Sequence, residues 1–472
     1  MTSVKFVLLW TDALLYLLLA LGVIGGLYAR RHEHLRAPWR YVVRQPLGIG
    51  ALIVLAAYLA VGLLDSVHFR LALPRAAGAP VDAPVDYSTE VVSLLDLTVR
   101  PLKDRGEKTY SAPFATRLYA KETVQRPDGS QTREYPRLRY GGAHLADEAD
   151  RGRDLARLGA RAGAEALAAW SVLAALTVGW RARREGRPWR ETAARMLSGR
   201  TDAPWRVIMA TTFALFLITA LLARLGVKYH ILGTDKVGLD VLYLSLKSIR
   251  TGIVIGTLTT LVMLPFALLL GTMAGYFRGW VDDVIQYLYT TLSSIPGVLL
   301  IAAAILTLQG YMAAHPDSFD TAALRADMRL LFLCIILGVT SWTGLCRLLR
   351  GETLKLREMD YIHAAVGFGA GPAAIIGRHI LPNVMHIVLI TIALDFSGLV
   401  LAEAVLSYVG VGVDPSTISW GTMINGARLE MAREPMVWWS LAAAFLFMFT
   451  LVLAANLFAD VVRDALDPRL AR

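Results

Sequence analysis

The chain has 472 residues, 55% of them hydrophobic, and a formal net charge of +10. A mean hydropathy of +0.49 excludes a soluble globular protein of this size and points to segments that cross a bilayer. The positive balance fits basic loops at an inner membrane face better than nucleic acid. Cys334 and Cys346 are the only cysteines, so there is no disulfide framework and no zinc pattern, and both are expected in the core.

Apolar runs of about 20 residues are the spanning signal, and nine occur, at 7–28, 47–64, 162–180, 207–225, 253–277, 281–308, 330–349, 384–406 and 436–461. The first is long for a signal-peptide core and ends in Tyr28-Ala29-Arg30-Arg31 rather than a cleavage site, so it reads as a retained span. Orientation comes from arginines, which mark cytoplasmic loops when the loops are short. Arg30, Arg31, Arg36, Arg40 and Arg44 fill 29–45, and Arg181, Arg183, Arg184, Arg187 and Arg190 open 181–206. Both loops are expected inside, as is the tail with Arg463, Arg469 and Arg472. Nine spans then put the N-terminus outside. The basic residues of 65–161 do not conflict, because loops of that length translocate regardless of charge.

Within 65–161, Pro74, Pro80 and Pro84 mark a linker. A strand is expected over 91–99. Segments 115–125 and 132–140 flank Pro127-Asp128-Gly129-Ser130, which predicts a hairpin. A helix over 145–167 leads into the third span. The result is a small α+β unit, with packing over the bundle favoured over contact with a second protein. His32-Glu33-His34 is the only zinc-like cluster, and it lacks the second His of His-Glu-x-x-His.

After the fourth span comes Leu232-Gly233-Thr234-Asp235-Lys236-Val237-Gly238-Leu239-Asp240, rich in turn and capping residues. Ala274-Gly275-Tyr276-Phe277-Arg278-Gly279-Trp280-Val281-Asp282 is a tight inner turn. Pro296, in Ser293-Ser294-Ile295-Pro296-Gly297, lies within a span and frees a backbone carbonyl, giving either a hinge on the pathway or a static kink.

The segment 358–383, EMDYIHAAVGFGAGPAAIIGRHILPN, lies between two apolar runs among Arg347, Arg350, Lys355, Arg357 and Arg378. Leu356, Met359, Ile362, Ala365 and Val366 recur at helical spacing, and Gly367, Gly369, Gly371 and Pro372 stop that helix. A short amphipathic helix at the cytoplasmic face suits docking into a partner's groove. Asp395 and Glu403 are ionisable groups inside a span, where they normally face the bundle interior or a wet cavity. The outer loop 412–434 holds Ser419-Trp420-Gly421.

This segment resembles the EAA loop of the permease subunits of binding-protein-dependent (type I) ABC importers. Ala364, Ala365, Gly369, Leu381 and Pro382 fall on the family spacing, with His363 at a frequent Glu position and His379 at an Ile position. The stretches 232–242, 274–282, 401–410, 419–424 and 463–469 are similar to motifs of the dipeptide, oligopeptide and nickel branch, and Leu239 replaces an Arg of that branch. The likeness covers roughly 233–469. It implies an all-α polytopic membrane protein: a permease core of about six helices, preceded by three extra N-terminal spans and a small extracytoplasmic α+β insertion.

The expected units are 1–64 (two spans), 65–161 (the insertion), 162–205 (third span and basic loop) and 206–246 (first core span and outer motif). They continue with 247–461 (the ABC transmembrane type-1 domain) and 462–472 (the tail). The resemblance further implies that Met359, Asp360, Tyr361, Ile362, His363, Ala364, Ala365, Gly369, Leu381 and Pro382 couple to an ATPase. As ionisable groups within a span, Asp395 and Glu403 are assigned with Pro296 to the translocation path, with a buried hydrogen bond to a neighbouring span the equal alternative for Asp395. The resemblance implies that Ser419, Trp420 and Gly421 face a binding protein, with an ordinary interfacial anchor the equal alternative for the Trp. Implied partners are a second homologous permease subunit, two cytoplasmic ATPases, an extracytoplasmic solute-binding protein and the lipid of a bacterial cytoplasmic membrane. The chain has no Gly-x-x-x-x-Gly-Lys-[Ser/Thr] loop, so ATP and Mg are expected in partner subunits, with no cofactor or metal on this chain and no enzymatic activity. The expected function is ATP-driven import, with peptides as cargo. A stand-alone carrier or channel, and ABC import of nickel chelates or other small solutes, are the alternatives.

Overall fold

The computed structural model describes residues 4–73, 86–125, 131–199, 201–315 and 321–466. The proline linker of 74–84, the turn 127–130 and the tail beyond Leu466 lie outside the described residues. Strand β1 (Val4–Val7) leads into helices α1 (Trp10–Arg31), α2 (Glu33–Arg44) and α3 (Pro46–Ser66). Strand β2 (His68–Leu71) returns beside β1, with Val4 opposite Leu71, and β3 (Val92–Ser93) pairs antiparallel on its other edge. The start of the chain and the insertion therefore share one end of the bundle.

The strand expected over 91–99 stops after two residues. Ser93 accepts the Asp96 N–H while the Asp96 carboxylate accepts the Ser93 N–H, and this capping box starts α4 (Leu94–Thr98). Helix α5 (Arg100–Lys103) follows. The predicted hairpin is present but short, pairing β4 (Glu122–Gln125) with β5 (Gln131–Glu134). Pro136 has no N–H to give, and the ladder resumes only as a single bridge between Arg117 and Arg137. Helix α6 (Arg151–Glu185) fuses the predicted soluble helix with the third span, and α7 (Trp189–Ser198) and α8 (Trp205–Leu225) complete a hairpin with it.

The rest of the bundle is α9 (Val241–Phe277), α10 (Gly279–Ser294), α11 (Gly297–Ala314), α12 (Ala322–Arg357), α13 (Asp360–Gly367), α14 (Pro372–Ile375), α15 (Leu381–Tyr408), α16 (Trp420–Glu430) and α17 (Trp439–Leu466). The division expected between 246 and 247 falls inside α9. The single span expected over 281–308 is two helices. Pro296 cannot extend α10, Ile295 turns extended (φ −89°, ψ 131°), and the Pro296 carbonyl restarts the ladder by accepting from Leu299 and Leu300. Eight described helices are long and apolar enough to cross a membrane. The ninth predicted segment, 330–349, is not among them. It forms the middle of α12, whose ends carry Arg325, Asp327, Arg329, Arg347 and Arg350.

Helices α9 and α12 run side by side in the same direction, 37 and 36 residues long, each about 55 Å at 1.5 Å per residue. Small residues let them touch. A Cβ on Gly271 would lie 2.8 Å from the Cys346 carbonyl oxygen, one on Gly275 2.8 Å from that of Arg350, and one on Gly338 2.6 Å from Val262 Cβ. Cys334 and Cys346 are buried in this contact region, as core residues.

At the insertion's end, α9 carries one buried and one half-buried cation. Arg250 bonds Asp12 Oδ1 on α1 at 2.5 and 3.1 Å and donates to Thr11 Oγ1 at 2.9 Å. Thr11 in turn donates to Asp327 of α12, whose other oxygen accepts the Trp10 N–H at 2.9 Å. His68 of β2 meets Asp12 Oδ2 at 2.7 Å. One turn away, Lys247 bridges Asp65 of α3 (2.7 Å) and Asp96 of α4 (2.8 Å). The extra N-terminal helices are thus tied to the core by charge pairs that no single element could satisfy alone.

The outer motif is gripped by the insertion. Gly233 (φ +71°) and Gly238 (φ +80°) need backbone that glycine alone adopts cheaply, and Glu107 donates its N–H to the Gly238 carbonyl at 2.9 Å. The Thr234 hydroxyl accepts the Ser111 N–H at 2.7 Å, and Trp439 Nε1 donates to the Thr234 carbonyl at 2.9 Å. Buried His230 lies between Asp240 (2.8 Å), which also caps α9, and Glu107 (3.3 Å). Glu107 further accepts the N–H groups of Arg139, Tyr140 and Gly141 at 2.8, 2.8 and 3.0 Å. Burial alone would lower the His230 pKa, but its bonds to Asp240 and Glu107 outweigh that and raise it to about 9. Burial pushes Glu107 up, yet His230 and the three backbone donors bring it to about 2.

Two predictions follow from these networks. Arg250→Met leaves Asp12 and Asp327 buried without their cation and is expected to cost about 3–5 kcal/mol in denaturant unfolding of the purified chain; a loss near zero contradicts the network. The stability that His230 lends is complete below its unfolded pKa near 6.5 and is lost as pH climbs through about 9. Unfolding curves of wild type and His230→Gln should therefore be furthest apart near pH 6 and converge above pH 9. A gap that widens with rising pH would show that the imidazole is held neutral.

Candidate functional site: the loop between α12 and α15

At the opposite end of the bundle, α12 ends at Arg357, and Met359 turns extended to start α13. Only one residue of the predicted apolar stripe is fully enclosed. Ile362 is 1% exposed and enters the core with Ile375 and Ile380, against Met263, Cys346, Leu349 and Val384. Leu356 and Ala365 are half-buried, whereas Met359, Val366 and the neighbouring Phe368 stay exposed, Phe368 at 92%. Asp360, Tyr361, His363 and Ala364 are also exposed. A short helix is thus pinned by one face and presents apolar groups on the rest, the form of a docking element.

Gly369 closes the helix with φ +80°, donating its N–H to the Val366 carbonyl at 2.9 Å while Ala370 reaches Ala365 at 3.0 Å. A Cβ there would touch nothing within 4 Å, so the requirement is one of backbone conformation. Pro372 opens α14, a wide turn over Ile376–Ile380 follows, and Leu381 and Pro382 begin α15. Asn383 Nδ2 donates to the His379 carbonyl (2.6 Å) and to Tyr361 Oη (3.3 Å), drawing the two ends of the loop together.

The base of the loop is clamped to the α9–α10 turn. Arg278 pairs with Glu358 at 2.5 Å, Arg357 donates to the Tyr276 carbonyl at 2.8 Å, and Arg350 grips Asp282 with two bonds of 2.6 Å. A bidentate guanidinium–carboxylate pair fixes orientation as well as distance. The end of α12 is thereby fixed to the α9–α10 turn just before α13 begins.

The other singled-out residues lie elsewhere. Pro296 is at the α10–α11 break, flanked by exposed Ile295, Val298 and Leu299, and the Ser294 hydroxyl turns back to the Thr290 carbonyl at 2.7 Å. Asp395 is half-buried on α15 and makes no hydrogen bond or ion pair among the described residues. Glu403, 2% exposed, accepts from Ser407 Oγ (2.7 Å) and Ser419 Oγ (2.8 Å), so it anchors the outer loop from within.

The structure buries Ser419, Trp420 and Gly421, the three residues expected to face a binding protein. Ser419 caps α16, Trp420 donates to the Ser245 carbonyl at 3.2 Å and packs on Gly252, and Gly421 backs onto Ser407, Ala404 and Glu403. The capping box is local to the start of α16, and the indole is enclosed against α9 at Ser245 and Gly252. Leu429, Met431, Met436 and Trp438 are exposed apolar groups of that region.

Sequence reasoning missed the outer charge cluster and the cavity of about 210 Å³ beside it, lined by Asp65, His68, Lys247, Arg250, Asp327 and Thr417. The available signal was charge of both signs at one end of four predicted spans.

Residues 267–472 match the family described as binding-protein-dependent transport system inner membrane component. The chain is 33% identical over 243 residues to the glutathione transport system permease protein GsiD of Pectobacterium atrosepticum, covering 51% of this chain and 73% of that protein. It is 33% identical over 249 residues to the oligopeptide transport system permease protein OppC of Mycobacterium tuberculosis (53% and 79%). It is 28% identical over 243 residues to the dipeptide transport system permease protein DppC of Bacillus subtilis (52% and 70%). With its membrane-spanning helices and the loop just described, this multi-pass chain is a transport permease that belongs to the family of binding-protein-dependent transport system inner membrane components.

Proposed function

We propose that the chain is the transmembrane permease subunit of an ATP-driven importer in a bacterial cytoplasmic membrane, with peptides as its cargo. Separate ATPase subunits bind the loop between α12 and α15, a second homologous permease completes the pathway, and a solute-binding protein delivers from outside. The observation that carries this reading is the pinned helix α13, held by Ile362 and by the Arg278, Arg350 and Arg357 clamps while Met359, Val366 and Phe368 remain uncovered. A loop without a partner has no reason to be so rigid at its base and so apolar at its tip. The peptide assignment is supported by relatives named for oligopeptide, dipeptide and glutathione transport.

ATP-driven closure of the ATPases pulls on α13, and α12 carries the displacement along α9 to Asp327 and Arg250 at the far end. The bundle thereby switches between inward- and outward-facing states. Pairing of β1 with β2 supports an outside N-terminus, on the same side as the insertion, with the basic α2 and α7 segments inside. Asp395, a half-buried carboxylate with no bonded partner among the described residues, is the residue assigned to the path, where a peptide amino group would pass.

Phe368→Asp places a charge where docking needs an apolar contact without touching the core. Co-purification with the ATPases and ATP-driven uptake should both fall roughly tenfold or more, about 1.4 kcal/mol, while unfolding of the chain alone is unchanged. Gly369→Val strains the positive φ, so it should lower co-purification and uptake likewise, with some loss of chain stability. Uptake that survives both substitutions removes the coupling assignment. Separately, Asp395→Asn should slow uptake with ATPase binding intact, and an unchanged rate takes Asp395 out of the path.

A further inference from the structure

The hairpin of α6 and α8 lies outside the family-matched region, and its inward end holds an open basic cavity of about 590 Å³. Arg181, Glu185, Arg187, Arg195, Thr201 and Asp202 line it. Two of the three cations are accounted for differently from the third. Arg181 is consumed by Glu185, with bonds of 3.0 and 2.5 Å, and its guanidinium stacks 5.1 Å from the Trp205 ring. Arg187 and half-buried Arg195 make no side-chain hydrogen bond or ion pair among the described residues. Asp202, the remaining acid, is 92% exposed at its side chain and only 4.0 Å from Arg44, so it does not fill their need.

The depth of the cavity is set by aromatic rings. Trp180 and Trp189 are exposed, Arg184 stacks 5.3 Å above Trp180, and Trp205 opens α8. Tryptophans at both helix ends of a membrane hairpin mark the headgroup level, and basic pockets at that level on the cytoplasmic side take phosphate headgroups. The planar guanidinium fork matches phosphate oxygens two at a time.

We infer that Arg187 and Arg195 form a binding site for an anionic phosphate group at the inner membrane interface, carried either by a phospholipid headgroup or by free phosphate. The wall of the site comes from α6, α7 and the segment before α8, so an occupant cross-links the added hairpin at its inner end. This does not depend on the ATPase reading.

Native mass spectrometry of the full-length chain tests it, with phosphatidylglycerol, phosphatidylcholine and inorganic phosphate as separate probes. Bound phosphatidylglycerol exceeding phosphatidylcholine, and falling about tenfold in Arg187→Gln/Arg195→Gln, supports a lipid source. Binding of inorganic phosphate that the same substitutions abolish supports a soluble one. In the unmodified protein, phosphatidylglycerol or phosphate should also shield Arg187 and Arg195 from phenylglyoxal, which keeps the test open if the double variant does not fold. Equal binding of both lipids with no phosphate bound, or labelling of both arginines unaffected by either probe, overturns the site.

Discussion

Arg250 is the constraint on which the arrangement depends. It projects from α9 beside the outer cavity and is balanced because Asp12 of α1 and Asp327 of α12 converge on it, with Thr11 accepting a further bond and His68 holding Asp12. A buried charge without partners costs several kcal/mol, so these elements cannot separate independently. Lys247 repeats the device with Asp65 and Asp96. The added helices are therefore not an appendage beside a permease core. Their carboxylates complete charge pairs whose cations the core supplies.

The same two helices, α9 and α12, connect that cluster to the other functional end. Glycine contacts hold them together along their length, and the Arg350–Asp282 and Arg278–Glu358 pairs tie the end of α12 to the α9–α10 turn, next to α13. A close-packed pair of long helices is stiff, because interiors at native density move as units and do not deform gradually. The pair links the α12–α15 loop at one end to the Arg250 cluster at the other, and Glu107 and His230 join the insertion to the start of α9.

What was legible in the sequence follows from what each signal measures. Hydropathy counts apolar length, so it located the spans; it could not see that Pro296 splits one of them or that 330–349 belongs to a helix with charged ends. Spacing of Ala364, Gly369 and Pro382 located the loop, and the structure adds which side of α13 is buried, a fact that depends on Ile375 and Ile380 far along the chain. Ser419-Trp420-Gly421 was legible as a motif but not in its burial, since a tryptophan reads alike as an interface anchor and as a core plug. The pairing of Arg250 with Asp12 spans 238 positions. No local pattern encodes such a contact, although the clustering of opposite charges at one end of several spans announces that some contact of this kind must exist.

The proposed role gives the chain the pathway and the handle and leaves the motor to separate ATPase subunits. The most direct measurement is peptide uptake into proteoliposomes holding the purified chain and its companion permease, with and without the ATPase subunits and ATP. Uptake only when the ATPases are bound and ATP is hydrolysed is the predicted result. Sustained uptake by the permeases alone would contradict the account.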